Sequence, residues 1–334
     1  MNINWEMPKF DAHVHLNTNR NALVKFGVDN NISYLSINTD IPFFDSLDTQ
    51  EEVIHSLRAN YPNHVNYITS FPIEGWGLKD WAENSIKRIK QSLKNGAIGV
   101  KVWKNIGMSL QDKNGAYVGI DHTSFDPIFN YLEQHNIIVL GHIGEPRNCW
   151  LPLEEMTVDQ DRKYFSEHPE YHMFLHPQLP SYEEHLNARN NRLRKNPKLR
   201  YMGLHLSSQE WNLDNVGDFL DEFPLAAVDL AERICHVQHQ AVTNWQKVYD
   251  FFIKYQDRII YGSDVIDDNS LTDQELVSLM DKRYQGHWQF FTSNGEMNAP
   301  KVTGSFKGLG LPDKVVEKVY YRNALNWYKN IKHN

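Results

Sequence analysis

The chain has 334 residues, 41% apolar and 23% charged, enough to bury one large core and too ordinary for a disordered or fibrous protein. A formal net charge of −8 with neutral histidines argues against a nucleic-acid binder that works through a basic surface. Two cysteines cannot build a disulfide framework, no apolar run approaches the ~20 residues that span a bilayer, and Met1 to Phe10 does not read as a secretory leader, so a cytoplasmic location is expected.

Short apolar runs alternate with longer amphipathic ones. Strands are expected at residues 10–16 and 32–38, followed by a helix that a capping box at Thr49-Gln50-Glu51-Glu52 opens and Pro62 stops. A strand at 65–71, a helix at 79–95 ending before Gly96, a strand at 97–102, a helix at 126–135 and a strand at 137–142 come next. A long connection, about 145–198, carries a helix at 181–196; its basic stretch from Arg189 to Arg200 reads as a solvated helix face. Strands at 200–206, 226–230 and 258–262 alternate with helices at 215–223 and 244–255, and the tail from 265 is helical at 312–330. All-apolar runs such as Ile137-Ile138-Val139-Leu140 suit parallel strands covered on both faces. Eight strand–helix units with no Gly-rich phosphate loop after the first strand predict a (β/α)8 TIM barrel rather than an open sheet. The whole chain, 1–334, is expected as one domain with an insertion at about 145–198 and a C-terminal extension at about 265–334.

Active sites of such barrels stand at the C-terminal strand ends. The first strand ends Asp11-Ala12-His13-Val14-His15, where period two puts both histidines on one face. The fifth ends at His142, the sixth at His205 and the eighth at Asp264. Imidazole and carboxylate are ligand types for zinc and related divalent ions. A single strand-end histidine is more often structural, but several in one barrel point to a metal site. Asp11 is either a partner orienting an imidazole or a cap on a backbone turn.

The segments Phe10–His15, Leu140–Pro146, Gly203–Leu206 and Ile260–Asp264 together resemble the amidohydrolase superfamily, in its amidohydrolase-2 branch. That branch includes aminocarboxymuconate semialdehyde decarboxylase and several lactonases. The resemblance implies that His13, His15, His142 and Asp264 hold one divalent ion, zinc or manganese by ligand type. It makes Asp264 the proton acceptor and places His205 near the reacting oxygen. A bound divalent ion lowers the pKa of water from 15.7 to about 7, which gives Asp264 and His205 their roles as general base and carbonyl polariser.

Lys101 has three open readings: a carbamate bridging two ions, an ammonium holding a substrate carboxylate or carbonyl, or a structural lysine. Strand period puts Lys101 and Trp103 on one face and Lys104 on the other. Trp76, Trp103, Glu145, Arg147 and Arg233 are candidate pocket residues, and arginine suits a carboxylate-bearing substrate. His176, His236 and His239 are weaker candidates on loops. The expected activity is hydrolysis of a small anionic ester, lactone or amide; the alternative is non-oxidative decarboxylation of an unsaturated or aromatic carboxylic acid. A catalytically idle binding barrel is disfavoured, because every ligand position is filled. A small-molecule substrate is expected, without nucleic-acid or membrane partners, and homo-oligomerisation stays open.

Overall fold

The computed structural model describes residues 3–333. Its main sheet has nine parallel strands: β1 (Lys9–Leu16), β2 (Ile32–Ile37), β3 (Val65–Ser70), β4 (Gly99–Val102), β5 (Ile138–Gly141), β6 (Tyr201–Gly203), β7 (Ala226–Asp229), β8 (Ile259–Ile260) and β9 (Val265–Asp267). They lie in the order β8-β7-β6-β5-β4-β3-β2-β1-β9. The last two are pieces of one barrel strand. Ala12 N donates to Tyr261 O (3.0 Å), Asp264 N donates to His13 O (2.8 Å), and Val265–Asp267 pair with Val14–Leu16. β1 is thereby joined to β8 and β9, and the sheet closes as the expected TIM barrel.

Alternation sorts the strand side chains into two cores. Phe10, Leu35, Ile37, Ile68, Ile138, Leu140, Met202, Leu204, Ala227 and Ile260 fill the barrel interior. Tyr34, Val100, Val139, Tyr201, Val228 and Tyr261 belong to the outer layer beneath the helices. The tail closes the N-terminal mouth: Tyr321, Ala324 and Tyr328 pack into the inner core. Asn323 donates to Gln256 O and Ile259 O at the foot of β8, while Asn66 at the foot of β3 exchanges two bonds with Lys332.

Three expectations need correction. The helix expected to open at Thr49 starts earlier, at Leu47–Asn60, because Ser46 caps it by accepting from Thr49 N (3.2 Å). The tail is not helical alone; a helix at Asp273–Thr292 precedes an antiparallel hairpin of Glu296–Ala299 and Val302–Lys307, whose Met297, Val302 and Phe306 are buried. The basic stretch is not wholly solvated. Arg189 and Arg192 of the helix Tyr182–Lys195 are buried, Arg189 against the turn after β6 and Arg192 against Ile120 O (3.0 Å) and Asp126 (2.7 Å). Among the described residues no helix is long and apolar enough to cross a membrane.

Leu140 sits in the closed interior without exposure. Leu140→Ala should cost about 2–5 kcal/mol, read as a lowered midpoint in denaturant unfolding. An unchanged midpoint would contradict a packed barrel interior.

Candidate metal centre

The upper end of β1 is built on a break in its own register. Phe10 and Ala12 point into the barrel, so strict alternation would send His13 and His15 outward. Pairing with β2 shifts between Asp11 and Val14, and beyond the shift Val14 and Leu16 join the outer layer. His13 and His15 therefore face inward. Asp11 secures the irregular segment: Oδ1 accepts from His13 N (3.3 Å) and Ser263 N (2.9 Å), and Oδ2 accepts from Tyr284 OH (2.7 Å). Of its two expected roles, Asp11 takes the backbone one.

Regular alternation carries β5 from Leu140 to His142 and β7 from Ala227 to Asp229. On β6 it would fail, because Leu204 points inward and His205 would point out. Here the chain turns left-handed for four residues, with φ of 57° at His205, 55° at Leu206, 59° at Ser207 and 55° at Ser208. Each such residue costs about 1–2 kcal/mol. Partners on the turn offset that cost: Asp229 Oδ1 accepts from His205 N at 2.5 Å, Arg189 donates to the Ser207 carbonyl and hydroxyl, and Tyr182 OH donates to Ser208 O. The turn brings the His205 ring to 4.3 Å from His142 and 4.9 Å from His13, centroid to centroid. Asp264, also left-handed at φ 57°, stands in the gap between β8 and β9.

Three imidazoles are locked in one sense. His13 Nδ1 donates to Asp229 Oδ2 (2.6 Å), His15 Nδ1 to Ile37 O (2.8 Å) and His205 Nδ1 to Ala231 O (2.9 Å). With Nδ1 committed as donor, a neutral ring presents a bare lone pair at Nε2. His13 Nε2 stands 3.1 Å and His15 Nε2 3.5 Å from Asp264 Oδ1. His13 Nε2 is buried without a hydrogen-bond partner, and so is His142 Nε2. A ring nitrogen facing a carboxylate oxygen calls for a cation between them, a proton on His13 or a divalent ion in its place, and this donor set fits such an ion. One atom each from His13, His15 and Asp264 lie within 4.8 Å of one another. His142 falls outside that trio and meets it through His205. A second trio, His13, His205 and Asp229, is already knit by hydrogen bonds to both carboxylate oxygens and offers no comparable opening.

Charge at the site follows from burial and neighbours. Burial depresses His13, but Asp264 and Asp229 outweigh it and lift the ring to about 9. Burial would raise Asp264, yet His13 and His205 hold it well below the carboxylate range. His142 and His205 are pushed well down by burial, with Lys101 and Arg233 acting in the same sense. Burial brings Lys101 down to about 8, against the pull of Asp264 and Asp229.

Lys101 thus lies among the ligand candidates. The strand ends at Val102, so the next turn frees Lys104 to pair with Glu145, and the field of Lys104 also reaches His142. Trp103 is half-buried near Phe43. Arg233 is buried, has no carboxylate within ion-pair distance among the described residues, and leaves Nε unpartnered. Arg147 is drawn off: it pairs with Glu183 (2.6 Å) and lies over Tyr182 and Trp211. Trp76 bonds Ser124 (3.0 Å), His176 bonds Pro169 O (3.1 Å), and His236 faces Asp161 (3.2 Å), so none of these joins the imidazole group. His239, half-buried near His236, does not join it either. Sequence reasoning missed Asp229, although a carboxylate ending a barrel strand was a usable signal. It also missed Phe44, whose ring lies 5.2 Å from that of His15.

Imidazoles and a carboxylate converge at the C-terminal strand ends of a closed (β/α)8 barrel, in groups that could hold a metal ion. The amidohydrolase family profile (amidohydrolase-2) matches residues 73–329, and the chain belongs to this family of enzymes that act on small molecules. The match begins beyond β1, so His13 and His15 stand on the geometry above. No curated protein sequence matches the chain. Among solved structures, an uncharacterised TIM-barrel protein from Bordetella bronchiseptica is similar at 10% identity and a TM-score of 0.54, covering 96% of this chain and 98% of that one. An amidohydrolase II is 18% identical at 0.51, covering 96% and 99%. The 2,6-dihydroxybenzoate decarboxylase from Rhizobium is 14% identical at 0.51, covering 97% and 99%. These likenesses establish the fold.

Asp229→Asn removes one of two acceptors and should weaken divalent-ion binding by roughly 10- to 100-fold, measured by competition with a chelator. Equal affinity in the variant would sink the assignment of Asp229 as the group that orients His13.

Proposed function

We propose that the chain is a metal-dependent hydrolase of a small anionic ester, lactone or amide. His13, His15, His142 and Asp264 would hold one divalent ion, and the imidazole–carboxylate set suits zinc or manganese. The observation that carries this reading is the shared orientation of three rings, each tied at Nδ1, with the Nε2 atoms of His13 and His15 facing Asp264. When bound, the ion supplies Lewis acidity and makes water nucleophilic near neutral pH.

The remaining work falls to side chains. Asp264, ionised and only partly buried, accepts the proton from the attacking water and returns it to the leaving group. His205, neutral through burial, keeps Nε2 free to meet the substrate oxygen. Lys101 and Arg233 hold the substrate anion, and Trp103 with Glu145 lines its approach; Arg147 would act only by leaving Glu183.

The two buried cations also favour a second reading, non-oxidative decarboxylation of an unsaturated or aromatic acid, because they can steer a carboxylate toward the centre. Offering the purified protein lactones, esters and amides beside aromatic and unsaturated acids separates the two. Acid release followed by titration supports hydrolysis; evolved carbon dioxide supports decarboxylation.

Elemental analysis should find close to one zinc or manganese per chain, and Asp264→Asn should lower turnover by several orders of magnitude with unaltered circular dichroism. Near-normal turnover in that variant removes Asp264 as the base. Lys101→Met should raise KM for an anionic substrate at least tenfold with a smaller change in kcat. Two ions per chain, one of them lost in Lys101→Met, would instead make Lys101 a carbamate bridge.

A further inference from the structure

The C-terminal extension does more than complete the barrel. Between the start of the helix Ile234–Lys254, the helix Asp273–Thr292 and the hairpin lies a cavity of about 350 Å³. None of His13, His15, His142, His205 and Asp264 lines it; its wall comes no closer to them in sequence than Glu232 and Ser263. It adjoins the candidate metal centre through Ser263, next to Asp264, but no ligand candidate forms its wall.

Its lining has two characters. Ile234, Leu279, Met297 and Pro300 form an apolar part. Lys282, Arg283 and Lys301 supply three cations against a single carboxylate, Glu232. Arg283 (2.9 Å) and Lys301 (2.8 Å) share that carboxylate, and Lys282 has no ion pair among the described residues. The field inside the cavity is therefore positive.

One polar side chain points to an occupant. Gln238 lines the cavity and is only 5% exposed, yet its amide has no hydrogen-bond partner among the described residues. That amide is therefore open to the cavity, where a ligand with a polar head can meet it. His287 adds a second polar group. Its Nδ1 is engaged with Tyr261 OH (3.0 Å), and burial keeps the ring neutral, so its other nitrogen is left for the cavity. The thiol of Cys235 is pushed up by burial to about 12 and offers no nucleophile, so binding rather than covalent chemistry fits the lining.

We propose that this cavity is a second small-molecule site, taking an organic carboxylate with a short apolar body: the chain on Ile234, Leu279 and Met297, the carboxylate toward Lys282, Lys301 and the Gln238 amide. The reading does not depend on the reaction proposed above. Hexanoate is the probe and 1-hexanol its uncharged control, titrated into the full-length protein with methyl-labelled methionine. Saturable movement of the Met297 methyl signal by hexanoate is expected, with hexanol at least tenfold weaker. Leu279→Trp, at a half-exposed position that tolerates bulk, should abolish the shift, and Lys282→Glu should weaken it at least fivefold; matching circular dichroism establishes that both variants fold. An unmoved Met297 signal, equal affinity for hexanol, or indifference to both substitutions overturns the proposal.

Discussion

Asp229 accepts two hydrogen bonds, and the arrangement at the top of the barrel depends on both. One oxygen takes the Nδ1 proton of His13 and so turns the other nitrogen of that ring toward Asp264. The second takes the backbone N–H of His205 and anchors the left-handed turn that swings this ring over the interior. Hydrogen bonds to an ionised acceptor contribute about 1.5–3 kcal/mol each, comparable to the strain of one or two left-handed residues. Fixing the two rings through one carboxylate also fixes their spacing, which neither strand could do alone.

The barrel interior divides along its axis. From the N-terminal mouth upward it is apolar and stoppered by Tyr321, Ala324 and Tyr328. Above that layer stand Lys101, Asp229 and the β1 histidines, all buried, with His142 half-buried beside them. Part of the charged layer is paired: Asp229 with His13, His15 with the Ile37 carbonyl, and Glu145 with Lys104. The insertion helix contributes through Arg189, whose guanidinium grips the turn below it and lies 4.4 Å from the Phe219 ring. What reads in sequence as a basic surface is part of the site's support.

Much of this was legible in residue order. Eight apolar runs at the right spacing announced the barrel, since a parallel strand buried on both faces has no other way to look. His142 needed only regular alternation from Leu140. The β1 histidines and His205 needed more, because each depends on a backbone irregularity that no local pattern encodes. The shift in β1 is held by Asp11, whose partners Ser263 and Tyr284 lie more than 250 residues away, and the turn after β6 by Arg189 and Asp229. The Thr49 box misled because Ser46, three residues earlier, caps the helix at the Thr49 amide and so puts Thr49 inside it. The hairpin of the tail and its cavity were invisible for a related reason: their packing is against the helix Ile234–Lys254, not within the tail.

The closure of the ring has a consequence for how the molecule comes into being. His13 meets Asp264, Val14 pairs with Val265, and the stopper arrives only with residues 321–328. The first strand can find its last partner only once the chain has been made as far as Val265–Asp267. Contacts of such long sequence separation are slow to form, because chain entropy is lost before they repay it. An ion therefore cannot template the early stages; the imidazoles and the carboxylate are brought together only when the scaffold is already nearly complete, and the nascent first strand must remain unpaired on one edge until then.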